Sequence, residues 1–272
     1  MDFDELQAAA DLQWLVQCPA LIASHQAYTF GAIEPSKPDW GAVKRFLDTK
    51  TAHRVGYYVE ALVQALLESE ASISELQHGL QIRREKETLG ELDFLFQQDG
   101  KLHHLEVALK LYLCYPEGAE NGSHFVGPNA TDSFERKRDR LLGKQLPFGR
   151  EFFPKIEKSQ HAVKGMIFYH PSGEGRVPLP ELLNPEHARG VWIRESELES
   201  LLARWPSHRS GRILKKPFWL AARGEELSVD EIEAATRHHF TKWDGPVYLA
   251  GFECGREVER IFVMPECWPQ KR

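Results

Sequence analysis

The sequence predicts an α/β protein in which a mixed β-sheet is flanked by helices. Within residues 41–67, an apolar stripe at helical spacing predicts an amphipathic helix, and three strand-like runs follow it. A second helix is expected over Asp132–Gln145, and the apolar run Val163–Tyr169 predicts a buried strand. The order helix, three strands, helix, strand over residues 53–170 is typical of a sheet with helices on its faces.

The N-terminal part of the chain is expected to be mostly helical. Apolar residues recur at helical spacing from Leu6 to Val16, which predicts helix over residues 1–30. Residues 31–41 are rich in Pro and Gly and predict a loop. The helix over residues 41–67 leaves room for a break near Lys50, and its second half carries the clearest apolar stripe.

Strand predictions follow along the rest of the chain. The first three runs are Gln81–Arg84, which is the weakest, Glu91–Gln97 and Leu102–Leu113. A loop rich in Gly, Pro and Asn is expected at Pro116–Asn129. The last hundred residues predict three strands and one helix, at Phe218–Ala221, Val247–Phe252, Val258–Met264 and Leu227–His239.

Three segments are therefore expected. They are an N-terminal helical segment (1–50), an α/β core (51–170) and a C-terminal α+β extension (171–272). The extension either continues the same sheet or forms a small lobe.

Composition excludes several classes of protein. The 272 residues are 42% hydrophobic and 27% charged, as in ordinary globular proteins, and no apolar run reaches the roughly 18 residues of a membrane span. The acidic, amphipathic N-terminus does not resemble a signal peptide. Four widely spaced cysteines without a CxxC pair argue against a zinc finger or a disulfide framework, so a reduced, cytoplasmic compartment is expected. The net charge of -6 argues against a general polycation but leaves room for a local basic patch.

The most informative stretch is a predicted hairpin. Asp99-Gly100 between two strand runs favours a two-residue turn, because such turns need positive φ at both central positions. This turn sets a register in which Gln98 pairs with Lys101, Phe96 with His103, Phe94 with Leu105, and Asp93 with Glu106. One face is then wholly apolar, with Leu92, Phe94, Phe96, Leu105, Val107 and Leu109.

The opposite face of the hairpin places two carboxylates directly across from each other. Asp93 and Glu106 would have Cβ atoms about 5 Å apart, where like charges destabilise a sheet. Solvent, protonation of one member or a bound cation would each relieve the repulsion. A solvated hairpin face is the alternative without chemistry. Because Glu91 and Lys110 share this face and helices could cover it, a cleft that holds Mg²⁺ or Mn²⁺ is the preferred interpretation.

At these residues the sequence resembles the PD-(D/E)XK nuclease superfamily. Gly90–Asp93 is similar to the motif that enters the second core strand, and Leu105–Ala108 to the motif on the third strand. Gly56–Glu60 resembles a GxxxE helix signature, in which Gly56 is expected to bring the helix close to the sheet and to aim Glu60 at the carboxylate pair. Gln145 stands where RecB-like members often carry a Gln. The run HLEVALK and the later GPN…D…K resemble a bacterial domain family of unknown function assigned to this superfamily. The resemblance covers roughly residues 50–170.

The resemblance implies a restriction-endonuclease-like core with a divalent metal, Mg²⁺ or Mn²⁺, held by Asp93 and Glu106, with Glu60 as a third acid. The family's lysine stands two residues after the third-strand Glu, where this chain has Ala108. Lys110, further along the same face, and Lys137, on the predicted helix, are the two candidates for its role. The departure also leaves open a degenerate site.

Basic residues are concentrated on the same predicted helix. Arg136, Arg138, Arg140 and Lys144, together with Gln145, could contact nucleic-acid phosphates, as could an acid-free basic run at Arg204–Lys216. The function expected is metal-dependent hydrolysis of phosphodiester bonds in nucleic acid, with DNA as the expected substrate. The alternatives are a non-catalytic module that binds nucleic acid or protein on the same fold, and an unrelated scaffold with a solvated acidic hairpin.

Overall fold

The computed structural model describes residues 3–31, 38–118, 122–173 and 177–270. Over these ranges the chain has a mixed α/β fold, with a large mixed sheet flanked by helices, as predicted. Most of the loop predicted at 31–41 lies outside the described residues, as do residues 119–121 of the loop predicted at Pro116–Asn129. No helix in the described part of the chain is both long and apolar enough to cross a membrane.

Three helices precede the first strand: α1 (Glu5–Gln17), α2 (Gly41–Leu47) and α3 (Val55–Ser69). The break near Lys50 is confirmed. The prediction of helix through residue 30 is wrong, because α1 ends where Pro19 removes a backbone donor. From Ala20 onward the chain makes isolated bridges instead, for example Ala20 with Lys164 and Ala27 with His161.

The next three strands form an antiparallel meander: β1 (Ile73–Arg84), β2 (Glu87–Gln98) and β3 (Lys101–Cys114). β1 is longer than predicted, because it lies at one end of the strand order and its largely polar sequence gives no strong alternation. Asp99 and Gly100 have φ angles of 51° and 72°, which confirms the predicted turn.

A short strand β4 (Phe125–Val126) pairs with β3 inside the predicted loop. The helix predicted at Asp132–Gln145 is composite. It begins as α4 (Phe134–Arg140), continues as a π-helix over Leu141–Gln145, and extends beyond the prediction as α5 (Leu146–Phe152). β5 (Ile156–Tyr169) then follows, with more residues than the predicted run because its first half is polar.

The C-terminal part contains β6 (Ala188–Arg194), a 3₁₀ turn (Glu195–Glu197), α6 (Leu198–Leu202), β7 (Arg209–Leu214), α7 (Val229–Phe240), β8 (Val247–Glu253) and β9 (Arg256–Met264). The predictions for α7, β8 and β9 are confirmed. The strand predicted at Phe218–Ala221 is wrong: Trp219 and Leu220 are buried, but this segment follows Pro217 and turns. β6 and β7 were not predicted, because their charged residues and glycines mask their alternation.

The chain divides into two compact units. The first comprises Met1–Lys110, Arg136–Gly165 and Leu182–Glu186, and within it the strand order is β1-β2-β3-β5. The second comprises Leu111–Glu135, Met166–Glu181 and His187–Arg272. In it β5, β6 and β9 are parallel neighbours, and β8 and β7 continue antiparallel from β9. The division into three segments by chain order stays a prediction.

Candidate active site

The two carboxylates of the predicted pair lie on neighbouring strands of the first unit. The predicted pairs Gln98–Lys101, Phe96–His103 and Phe94–Leu105 are all present, and regular pairing of β2 with β3 stops at the last of these. One position further, Oδ2 of Asp93 accepts a hydrogen bond of 2.8 Å from the backbone amide of Val107. The side chain of Asp93 thus takes the place that a backbone carbonyl of β2 would have in a regular ladder. This bond holds Asp93 next to Glu106.

The end of regular pairing between β2 and β3 also changes which residues share the predicted apolar face. Leu92, Phe94, Phe96 and Leu105 are fully buried, as the apolar face requires. Leu92, however, packs in the same cluster as Leu95, which strict alternation would place on the opposite face. The alternation therefore fails at Leu92, because beyond Phe94 no regular pairing with β3 constrains the strand. Leu109 is half-buried rather than in the core.

Electrostatics shows that the carboxylates are close enough to interact. The pKa of Asp93 is raised to about 8, first by burial and then by the negative charge of Glu106. Glu60 raises the pKa of Asp93 further, whereas the Val107 amide and the ammonium of Lys137 lower it. Burial and like charges outweigh the ammonium of Lys137 and the Val107 amide, so an additional cation would stabilise the ionised form of Asp93.

Glu106 is held from both sides. Its side chain is 1% exposed, and its Oε1 lies 2.9 Å from Nε2 of His104, which is fully buried on the same strand face. Oε2 accepts a hydrogen bond from the side-chain amide of Gln145. Neither histidine nor glutamine blocks the remaining lone pairs, since each carboxylate oxygen has two acceptor positions.

The π-helix brings Gln145 to the site. Gln145 is the last residue of this π-helical turn, and its Oε1 accepts a hydrogen bond of 3.1 Å from Nζ of Lys137 in α4. Gln145 therefore links the lysine to Glu106. π-Helical turns within α-helices are often found at functional sites.

Of the two candidate lysines, Lys137 interacts electrostatically with both carboxylates. Burial and the charge of Lys110 lower the pKa of Lys137, while Glu106 and Asp93 raise it. Lys110 is half-buried on β3, and its charge acts on Lys137. The lowered pKa of Lys137 follows chiefly from its removal from water.

The family model described as a domain of unknown function, DUF1853, matches residues 10–264. The chain belongs to this family. Its resemblance to a domain family of unknown function is confirmed at that level. No curated protein and no protein of solved structure shows significant similarity to the chain.

In this DUF1853 chain Glu60 lies outside the two strands that carry Asp93 and Glu106. It lies on α3, where its Oε2 is 3.5 Å from Nε2 of His78, and its charge reaches Asp93. The expectation that Gly56 allows α3 to approach the sheet closely is wrong. Gly56 is exposed in the first turn of the helix, and a Cβ there would meet no atom within 4 Å. Gly56 therefore does not position Glu60 by close packing.

Close approach occurs instead at other glycines of the first unit, among them Gly149 and Gly165. A Cβ on Gly149 of α5 would lie 2.4 Å from Nδ1 of His104. A Cβ on Gly165 of β5 would lie 1.7 Å from the backbone oxygen of Lys110. These contacts bring α5 against His104 and β5 against β3, and they define the walls of the site.

The basic residues predicted for nucleic acid divide into two groups. Arg136, Arg140 and Lys144 are exposed along the composite helix, and Arg138 pairs with its neighbour Asp139. Gln145, predicted with them, lies instead at the carboxylates.

The second basic run, Arg204–Lys216, is neutralised in part. Arg209 lies 2.8 Å from Glu259, and Arg212 pairs with Glu226, so acids distant in sequence compensate these two residues. Arg204, Lys215 and Lys216 are exposed, so the run keeps part of the basic surface that its composition suggests.

Sequence reasoning missed His104 and Ser159 as parts of the site. His104 stands two residues before Glu106 on the same strand face, and that spacing was the available signal. Nothing in the sequence around Ser159, on β5, indicated its contact with His104, because that contact depends on which strands are neighbours in the sheet.

Whether a metal ion fits the site depends on the donor atoms that its side chains supply. Within the described ranges, no group of three or more His, Cys, Asp or Glu residues converges closely enough to hold a metal ion. Mg²⁺ often takes only one or two protein carboxylates and keeps several waters. Asp93 and Glu106 fit that smaller requirement, because they are hard oxygen donors whose mutual repulsion a cation would relieve.

Proposed function

We propose that this protein is a metal-dependent nuclease that hydrolyses phosphodiester bonds in nucleic acid, with DNA as its substrate, on a restriction-endonuclease-like core. One observation carries the proposal: the Val107 amide holds Asp93 next to Glu106, and Gln145 links Glu106 to the ammonium of Lys137. The element order from α3 to β5 and the motifs Gly90–Asp93 and Leu105–Ala108 support it.

Asp93 and Glu106 would hold Mg²⁺ or Mn²⁺, with Glu60 as a nearby third acid. When bound, such an ion polarises a phosphoryl oxygen and lowers the pKa of a coordinated water. The protein's own contribution is to fix the donors: the Val107 amide orients Asp93, while His104 and Gln145 orient Glu106.

Lys137 is assigned the role of the lysine in the nuclease motif. Its ammonium is held by Gln145 and acts directly on the charges of Asp93 and Glu106. A fixed cation in a largely buried site stabilises negative charge that develops at the attacked phosphate. Lys110 is not assigned this role: its charge opposes the ammonium of Lys137, whose pKa it lowers.

The composite helix supplies contacts to the nucleic-acid backbone. Arg136, Arg140 and Lys144 are exposed on the elements that carry Lys137 and Gln145. Contacts of this kind position a phosphate backbone and carry no base sequence information. Contacts made by this helix are therefore expected to add little sequence preference to cleavage.

The experiment is a cleavage assay with purified protein. Labelled single-stranded DNA, duplex DNA and RNA are incubated with Mg²⁺, Mn²⁺ or EDTA, and the products are separated on gels. Cleavage of DNA that requires the metal and disappears in Asp93→Asn supports the proposal. Asp139→Asn, which changes an exposed aspartate of α4, is the matched control and should retain activity. Failure of the wild type to cleave any substrate contradicts the proposal.

A non-catalytic binding module on the same fold is the second candidate. The observation that favours it is that both oxygens of Glu106 already have hydrogen-bonding partners, His104 and Gln145. Such a module would bind nucleic acid equally well in EDTA, and Asp93→Asn would leave its binding unchanged. Gel-shift measurements on the same samples separate the two candidates.

A further inference from the structure

Side chains around Glu106 form a closed ring of hydrogen bonds. The Gln145 amide donates to Glu106, whose other oxygen meets Nε2 of His104. Nδ1 of His104 lies 3.1 Å from the hydroxyl of Ser159, which donates to the backbone oxygen of Leu146 at 2.8 Å. Leu146 directly follows Gln145, so the chain itself closes the ring.

The ring fixes which neighbour each nitrogen of His104 faces. A serine hydroxyl has one hydrogen, and that of Ser159 points to Leu146. Nδ1 of the imidazole faces this anchored hydroxyl, and Nε2 faces Glu106. His104 and Ser159 are both buried, at 0% and 3% exposure, so water does not compete for these bonds.

The imidazole also has no room to turn. Gly149, one turn after Leu146 in α5, brings its backbone so near that a Cβ would be 2.4 Å from Nδ1. The ring plane of His104 is thereby set by α5 on one side and by Ser159 on its edge. A group confined in this way can hold a carboxylate in one orientation.

We propose that His104 is a positioning residue that fixes the carboxylate of Glu106 and, through Gln145, the ammonium of Lys137. The inference rests on the proposed function, because the oriented groups are those assigned to the metal and to the phosphate. His104 ties Oε1 of Glu106, which leaves Oε2 to Gln145, whose own oxygen accepts from Lys137. Loss of His104 frees Glu106 to rotate and releases Gln145 from its partner.

The neighbouring histidine supplies a matched control. His103 lies on the other face of β3, where it stacks on Phe96 with ring centroids 5.2 Å apart and contacts Gln160 at 3.1 Å. It has the same chemistry, stands one residue away, and is not part of the ring.

The experiment compares His104→Phe, His104→Gln and His103→Phe with the wild type. Mn²⁺ affinity is measured by the electron paramagnetic resonance of the free ion, and folding by thermal melts. We expect His104→Phe to weaken Mn²⁺ binding roughly 10- to 100-fold, the usual effect of losing a partner of a metal ligand. His104→Gln, which can present an N–H to Glu106, should recover most of the affinity, and His103→Phe should bind Mn²⁺ as the wild type does.

Ser159→Ala is the milder variant if His104→Phe does not fold. It keeps the imidazole but removes its tether to Leu146, so a smaller loss of Mn²⁺ affinity is expected. Unchanged Mn²⁺ affinity in folded His104→Phe, or in Ser159→Ala where only that variant folds, would overturn the inference.

Crystal structures of the variants separate this inference from the proposed function. If the wild type itself binds no Mn²⁺, the metal-dependent nuclease fails, and the orientation of Glu106 decides the inference alone. A carboxylate that leaves Gln145 in His104→Phe, or in Ser159→Ala where only that variant folds, but stays in His103→Phe supports positioning by His104. A carboxylate that stays in all of them refutes it.

Discussion

Gln145 hydrogen-bonds Glu106 although 39 residues separate them in the chain. In an uninterrupted α-helix, Lys137 and Gln145 would be rotated by roughly 80° relative to each other, since each residue turns the helix by about 100°. The wider turn of the π-helix over Leu141–Gln145 alters that phase, and the two side chains meet. This single irregular turn therefore places an amide between the lysine and the carboxylate.

The first prediction separates the two lysines. Lys137→Ala should lower the turnover of DNA cleavage by roughly 10²- to 10³-fold, the usual effect of removing one group that stabilises transition-state charge. Lys110→Ala should reduce turnover much less, because it is Lys137 that Gln145 links to Glu106. Steady-state cleavage rates of the two variants at saturating Mg²⁺ provide the measurement.

Both variants should keep the rise in melting temperature that Mg²⁺ produces in the wild type, since neither removes a metal donor. The reverse ranking, with Lys110→Ala inactive and Lys137→Ala active, would transfer the role to Lys110.

The second prediction concerns the metal and the stability of the fold. Mg²⁺ or Mn²⁺ should stabilise the wild type, because a cation relieves the repulsion between Asp93 and Glu106. At a concentration 100 times the dissociation constant, the free energy of unfolding should rise by about 2.7 kcal/mol. Asp93→Asn should abolish this gain. Denaturant titrations with and without the ion measure it, and a wild type whose stability ignores both ions would indicate a carboxylate pair without a metal.

The third prediction is a pH dependence of the metal-free protein. The pKa of Asp93 is raised to about 8, so the folded state keeps a proton that the unfolded state has lost above about pH 4. Stability contributed by this group is therefore complete below its unfolded pKa and is lost as the pH rises toward 8. In EDTA, Asp93→Asn should flatten the decline by up to ~1.4 kcal/mol per pH unit within this window.

Asp93→Asn should also be more stable than the wild type at pH 8 without metal, since one of two like charges is gone. Asp139→Asn controls for the loss of any one aspartate, because Asp139 is 65% exposed and pairs with its sequence neighbour Arg138. Parallel stability curves for wild type and Asp93→Asn would show that Asp93 titrates normally.

Much of the first unit's architecture could be predicted because local rules were decisive. Asp99-Gly100 set the turn, and the turn set the pairing from Gln98–Lys101 to Phe94–Leu105. The break between α2 and α3 and the order of elements up to β5 followed from composition and periodicity. Extrapolation failed where the ladder ended, at Leu92, since alternation holds only where the partner strand constrains it.

The rest of the site depended on contacts that the sequence does not encode locally. Ser159 reaches His104 through the neighbouring strand, and Gln145 reaches Glu106 through a π-turn that no spacing rule indicated. Gly56 shows the opposite error: a motif suggested close packing where the helix has open space. A small residue in a motif predicts a contact only when its neighbours in the fold are known.

The last prediction tests this contrast between two glycines. Gly149→Ala should destabilise the fold by roughly 1–3 kcal/mol, the usual cost of overpacking, because its Cβ would lie 2.4 Å from Nδ1 of His104. Gly56→Ala, in the exposed first turn of α3, should instead be neutral or stabilising by up to about 1 kcal/mol, since alanine favours the helix. Urea unfolding of both variants gives the comparison. Gly149→Ala should additionally weaken Mn²⁺ binding, because the displaced imidazole no longer holds Glu106, whereas Gly56→Ala should bind Mn²⁺ normally. Equal stability of the two variants would mean that α5 can shift away from His104 without cost, and the confinement of the imidazole would then have to be abandoned.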